Sequence, residues 1–127
     1  MEIAVQFAQR FWEVLEDRDW TRLTGLLDPQ FIAIWPQSGE QYNREGFITV
    51  NRLYPGDWHI HIRNVLGSDI WAVTEIDVEI DGRLDRAVSF FRVHDDRIIE
   101  LREYWPEQFP IPGWRRDLNL VIDKVDP

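Results

Sequence analysis

The spacing of apolar residues along the chain changes from a helical to an alternating period, and the change divides it in two. From Ile3 to Leu15, Ala4, Phe7, Ala8, Phe11, Val14 and Leu15 recur every three or four residues, the stripe of one helix face. Glu16-Asp17-Arg18-Asp19 interrupts the stripe. Asp19 is placed to cap a short second helix carrying Trp20, Leu23, Leu26 and Leu27, which Asp28-Pro29 ends. Phe31 to Pro36 reads as a short strand, followed by a turn or loop at Pro36-Gln37-Ser38-Gly39. Asn43 is expected to cap a third helix over Phe47, Ile48, Val50 and Leu53, stopped by Tyr54-Pro55-Gly56.

Beyond Gly56 the period shortens to two. Trp58 to Leu66 sets Trp58, Ile60 and Ile62 against His59, His61 and Arg63. Ile70 to Ile80 sets Ile70, Ala72, Thr74, Ile76 and Val78 against Trp71, Val73, Glu75, Asp77 and Glu79. Asp81-Gly82 is a two-residue hairpin signal, leading into Arg83 to Val93; Asp95-Asp96 then turns the chain into Arg97 to Trp105. The hairpin puts Thr74 opposite Ser89, Ala72 opposite Phe91 and Asp77 opposite Arg86. One face is then apolar with two hydroxyls, and the other carries charges and an aromatic patch. A slip of one residue would mix them. Pro106 onward is a proline-rich crossing, and Leu118 to Val125 a terminal element of undefined type. Helices followed by an antiparallel meander make residues 1–127 a single α+β domain with a curved sheet wrapped around its N-terminal helices.

Composition adds an aromatic load and a negative charge. Hydrophobic residues are 44% of the chain, and seven Trp with seven Phe exceed what a thin two-layer domain needs for closure, so part of that surface is expected to line a cavity. A formal charge of −9 without a basic stripe argues against a nucleic-acid partner and against an anionic membrane surface. With no cysteine, disulfides, thiol catalysis and Cys-ligated zinc are excluded. Met-Glu-Ile-Ala-Val-Gln lacks the features of a signal peptide, and no run approaches a membrane span, so a cytoplasmic protein is expected.

Several segments resemble the SnoaL-like branch of the nuclear-transport-factor-2-like superfamily. They are Phe11-Trp12 through Trp20 and Leu26-Leu27, Phe31-Ile32-Ala33-Ile34-Trp35-Pro36 with Gly39, Asp81-Gly82, Ser89-Phe90-Phe91-Arg92-Val93, and Arg97 through Trp105. Pro112-Gly113-Trp114-Arg115 is similar to an ending found in that branch. The resemblance implies a cystatin-like cone whose concave face and helices enclose a pocket, and a convex face that often forms a dimer. It implies no single activity, since the scaffold hosts isomerases, dehydratases, cyclases, epoxide hydrolases and non-enzymes. Ketosteroid isomerases place a Tyr on the first helix, a basic Asp ending the first strand and a protonated Asp on the fourth. Phe11, Trp35 and Ser89 hold those positions here, so enolisation by that set is not expected.

Glu103 is the sharpest candidate for chemistry. By alternation it shares the inner face with Ile99, Leu101 and Trp105, beside Ser89 or Ala87 on the neighbouring strand. The resemblance implies an acidic base on the last strand of SnoaL-like cyclases, with Ser89 replacing their fourth-strand His. Loss of hydration would raise the carboxyl's pKa into a range useful for acid–base work. The alternative is a structural Glu paired with Arg115 or Arg116, or one at the wet mouth of the cone. Phe11, Trp35, Thr74, Phe91, Leu101 and Trp105 are the expected ligand-binding residues, facing a hydrophobic small molecule. Trp71, Val73, Val88 and Phe90 gather on the convex side and suggest a homodimer interface, the alternative being cover by Leu118 to Val125.

Two further groups read as structural. His59-x-His61 can chelate a metal, but no third ligand is spaced to join it, so surface or interface histidines are expected and no metal. Glu75, Asp77 and Glu79 read as a cross-strand charge ladder with Arg86, and Asp85 as a rim residue. No phosphate-loop glycine pattern is present, and no cofactor is expected. Three functions remain open: a cofactor-independent cyclase, dehydratase, isomerase or hydrolase; a non-catalytic ligand binder; and a dimeric interaction module whose cone is filled by its own side chains.

Overall fold

The computed structural model of the chain describes residues 2–122. Helices α1 (Ile3–Glu16) and α2 (Trp20–Leu26) lead into strand β1 (Leu27–Trp35). Strand β2 (Glu40–Asn43) and helix α3 (Arg44–Arg52) come next. Four long strands follow, β3 (Trp58–Gly67), β4 (Trp71–Ile80), β5 (Arg83–His94) and β6 (Arg97–Tyr104), then a short helix α4 (Gly113–Arg116). The six strands form one sheet in the order β2-β1-β6-β5-β4-β3. Only β1 and β6 run parallel; every other neighbouring pair is antiparallel. The α+β arrangement of helices on a curved sheet is the one expected.

The caps are where the sequence puts them. Asp19 Oδ1 accepts from the Arg22 amide at 3.1 Å, and Asn43 Oδ1 from the Gly46 amide at 2.8 Å. Arg18, at φ 54°, makes the left-handed break between α1 and α2. Asp81 and Gly82, at φ 49° and 81°, form the tight turn between β4 and β5, with Thr74 opposite Ser89 and Asp77 opposite Arg86.

The structure departs from these expectations in local detail. Residues 40–42, to which the sequence assigns no element because they lack apolar alternation, form β2 with Asn43; the turn at Pro36–Gly39 folds it back so that Tyr42 pairs with Ala33. A register shift between Arg92 and Val93 brings Ile98, fully buried, rather than Ile99 to the inner face of β6. β1 starts at Leu27, well before Phe31, and holds Pro29 within a stretch where the ladder to β6 is irregular, so the missing amide costs no regular bond there. A bulge between Ile62 and Asn64 breaks the alternation of β3 and leaves Ile62 exposed. Ile70 lies outside β4 and is exposed rather than facing inward. Of the terminal element expected over Leu118 to Val125, residues 118–122 are neither helix nor strand, and residues 123–125 lie outside the described residues.

The core lies between α1, α3 and the sheet. Phe11 packs edge-on against Phe91, with ring centroids 5.1 Å apart, and Phe47 stacks near Phe11 and tilts over Phe31. On the convex side Asp77 is buried between two arginines, accepting from Arg63 at 2.8 Å and Arg86 at 3.0 Å. Burial opposes its charge, but the two arginines hold its carboxyl below the usual range.

Candidate functional site

Three strands bring three polar side chains into one row on the inner face. Thr74 on β4 is opposite Ser89 on β5, and Ser89 is opposite Glu103 on β6. The outer row members are each tied to a tryptophan. Trp12 Nε1 on α1 donates to Thr74 Oγ1 at 3.0 Å, and Trp35 Nε1 at the end of β1 donates to Glu103 Oε1 at 2.9 Å. Ser89 Oγ lies 3.0 Å from Glu103 Oε2. Tyr42 of β2 and Phe47 of α3 pack edge-on against Trp35, with centroids 5.2 Å and 6.3 Å away, and so fix the indole that holds the carboxylate.

Glu103 is only 3% exposed. Both of its hydrogen-bond partners are neutral. Burial raises its pKa and the bonds from Trp35 and Ser89 pull it part of the way back, leaving it pushed up to about 7. The geometry also assigns the proton. An indole N–H only donates, so Oε1 stays an acceptor in either state, and a proton on the acid resides on Oε2. The Ser89 hydroxyl then switches from donor to acceptor as Glu103 takes up its proton. Arg115 and Arg116 do not pair with Glu103: the first lies over Trp114 and the second beside Asp117.

Glu103 borders a cavity of about 940 Å³. Trp12, Leu15, Phe47, Trp58, Ile60 and Val78 supply apolar wall, and Trp35 and Trp105 flank the Glu103 end. Trp58 and Ile60 on β3 lie opposite Ile80 and Val78 on β4, so one patch of sheet makes much of that wall. The more exposed lining residues include Gln37, Tyr54, Arg83 and Glu107. Gln37 Oε1 accepts from the Trp105 amide and ties the β1–β2 turn to the strand that carries Glu103. Arg83 is gripped by Asp85 through two hydrogen bonds of 2.9 and 3.0 Å, which places Asp85 in the cavity wall near the turn.

The expected site residues divide into two groups. Glu103, Trp35 and Trp105 line the cavity, whereas Phe11, Thr74, Phe91 and Leu101 are at most 1% exposed and are packed behind its wall. Alternation places Thr74, Phe91 and Leu101, and gives the face of a residue but not its depth, while Phe11 follows from the resemblance; α1 lies directly on the sheet over Thr74 and Phe91 and fills that part of the cone. Ser89 is fully buried and reaches the cavity only through Glu103. Trp58, Tyr54 and Leu15 were missed as lining residues. The apolar alternation of Trp58 and Ile60 carried that signal for β3, while the α3–β3 loop carried none.

The remaining candidates lie elsewhere. His59 sits between Glu16 and Asp57, at 3.0 Å from each, and His61 is 3.4 Å from Glu79. Each histidine has carboxylate neighbours of its own. Trp71, Val88 and Phe90 are exposed on the convex face with Val73 among them. Leu66, Val73, Phe90 and Arg102 form a cross-strand row, and Tyr104 packs edge-on against Phe90, so the patch is wider than the four residues first named. Among the described residues, no helix is long and apolar enough to cross a membrane.

Known proteins agree with this architecture. A protein of Kribbella flavida provisionally assigned as a ketosteroid isomerase superposes with a TM-score of 0.89 at 23% identity, over 98% of this chain and 91% of its own. A nuclear-transport-factor-2-like protein of Burkholderia xenovorans, of unknown function, gives 0.77 at 21% identity, over 98% and 96%. A polyketide cyclase of Streptomyces antibioticus, also a provisional assignment, gives 0.70 at 17% identity, over 79% and 89%. These likenesses establish the fold. No curated protein sequence matches this one significantly. The SnoaL-like domain profile matches residues 8–101 and ends just before Glu103. With most of its length inside that match, the chain belongs to the SnoaL-like domain family.

Proposed function

We propose that the cavity is the active site of a cofactor-independent acid–base enzyme acting on a hydrophobic or aromatic small molecule, with Glu103 as the group that moves the proton. One observation carries this reading: a carboxyl pushed up to about 7 borders an apolar cavity and is held by two neutral donors. A group poised near neutral pH both accepts and returns a proton at low cost. Trp35 orients the carboxyl, and Ser89 follows its protonation state. The space within the cone speaks against an interior filled by its own side chains.

Proton exchange into an apolar substrate tests the reading directly. Apolar cyclic ketones and phenols are incubated with the protein in D₂O, and deuterium uptake at carbon is followed by NMR. Uptake that disappears in Glu103→Gln supports the proposal; equal uptake in both proteins refutes it.

A non-catalytic binder is the second reading. It is favoured by Phe11, Trp35 and Ser89, none of which titrates near neutral pH, at the positions where ketosteroid isomerases carry their acid–base groups. Saturable binding of the same compounds without exchange would select it. The protein is further proposed to be cytoplasmic and to pair with a second copy through the convex face around Trp71, Val73, Val88 and Phe90, a reading supported by the exposure of that patch.

A further inference from the structure

The segment after Gln108 carries a run of large apolar residues that its own chain leaves uncovered. Phe109, Trp114, Leu118, Leu120, Val121 and Ile122 are between 51% and 94% exposed. Apolar surface of that extent is expected to be buried by something. The path of the segment is nevertheless shared with a solved structure: the Kribbella protein superposes at a TM-score of 0.89 over 98% of this chain, which leaves only a few residues outside the alignment. Apolar residues left exposed on a segment that lies within the aligned span point to a covering surface outside the chain.

The chain itself offers a matching surface. The row Leu66, Val73 and Phe90 crosses β3, β4 and β5 on the convex face, with Trp71, Val88 and Tyr104 beside it. Charge agrees as well. Arg115 and Arg116 are exposed next to Trp114. On the sheet, Asp77 takes both Arg63 and Arg86, while Glu75 is bonded by Asn64 and Glu79 neighbours His61. Glu75 and Glu79 therefore offer carboxylates to an incoming arginine pair.

We infer that residues 109–122 of one chain pack across the convex sheet face of a second copy, with Trp114 on the apolar row and Arg115 and Arg116 toward Glu75 and Glu79. Two-fold symmetry makes the exchange reciprocal, so each copy covers the other's sheet with its own segment. The inference rests on the homodimer reading and adds which part of the chain closes the interface.

The test compares the full chain with a Trp114→Asp/Leu120→Asp variant by light scattering at micromolar concentration. Both positions are exposed, so the fold, followed by far-UV circular dichroism, is expected to be unchanged. A dimer that becomes a folded monomer in the variant supports the exchange. A variant that stays dimeric overturns it and leaves the sheet-face dimer standing; a monomeric full chain overturns both. The absence of cysteine allows a second measurement. Disulfide formation between separate Glu75→Cys and Arg115→Cys chains supports exchange, and an intrachain bond in the double variant overturns it.

Discussion

Ser89 and Glu103 face each other across β5 and β6, and the hydroxyl of one lies 3.0 Å from the carboxylate of the other at a depth that water barely reaches. The pair couples the protonation of a buried acid to the rotation of a neighbouring hydroxyl. Its behaviour with pH follows from that coupling.

Glu103 gives the folded chain a stability that falls as pH rises. Its carboxyl titrates near the ordinary 4.5 when unfolded and at about 7 when folded, so between those values the folded state holds the extra proton. The contribution is neutral below the unfolded pKa and becomes a penalty of roughly 3 kcal/mol above the folded one. Glu103→Gln keeps the shape of the neutral acid and removes this penalty. Urea unfolding at pH 5 and pH 8.5 is expected to show the variant gaining on the parent only at the higher pH.

Removing either donor pushes the carboxyl further up. Trp35→Phe takes away the bond to Oε1 and Ser89→Ala the bond to Oε2, and both bonds hold the pKa down, Trp35 the more strongly. The pH profile of ligand binding or turnover is expected to shift to higher pH in both variants, and further in Trp35→Phe.

Asp77 behaves in the opposite sense. Its two arginines depress its pKa, so its stabilising contribution is present above the unfolded value and is lost as pH falls through the folded one. Asp77→Asn is expected to lower the urea midpoint at pH 7 and to erase part of the parent's acid sensitivity.

How much of this was legible in the chain depends on the range of the interaction. The Asp81-Gly82 turn is local, and it fixes Thr74 against Ser89 before any coordinates are known. Alternation then carries Glu103 to the same face. The bond from Trp12 to Thr74 was not legible, because the height at which α1 crosses the sheet is set by packing and not by any period within the helix. For the same reason alternation could not separate Trp35, which lines the cavity, from Phe91, which is packed beneath it. β2 was invisible because it pairs through its backbone and presents little apolar surface. The bulge beside Arg63 was equally silent, since it adds one residue to a strand without any change in composition.

Trp105 provides a test of the cavity apart from the acid. It lines the Glu103 end, and its amide donates to Gln37. Trp105→Ala removes an aromatic wall while leaving that amide in place. Affinity for an aromatic ligand is expected to fall about tenfold or more, as the loss of a buried ring contact of roughly 1.5 kcal/mol or more requires. Isothermal titration calorimetry measures it.

The titration of Glu103 itself is the most direct measurement, made by ¹³C NMR of the protein labelled at its glutamate carboxyls and assigned by the Glu103→Gln spectrum. A midpoint near 7 is expected for this one carboxyl. A midpoint in the ordinary glutamate range, near 4.5, would mean that the group is solvated and holds no proton at neutral pH, and would contradict its assigned role.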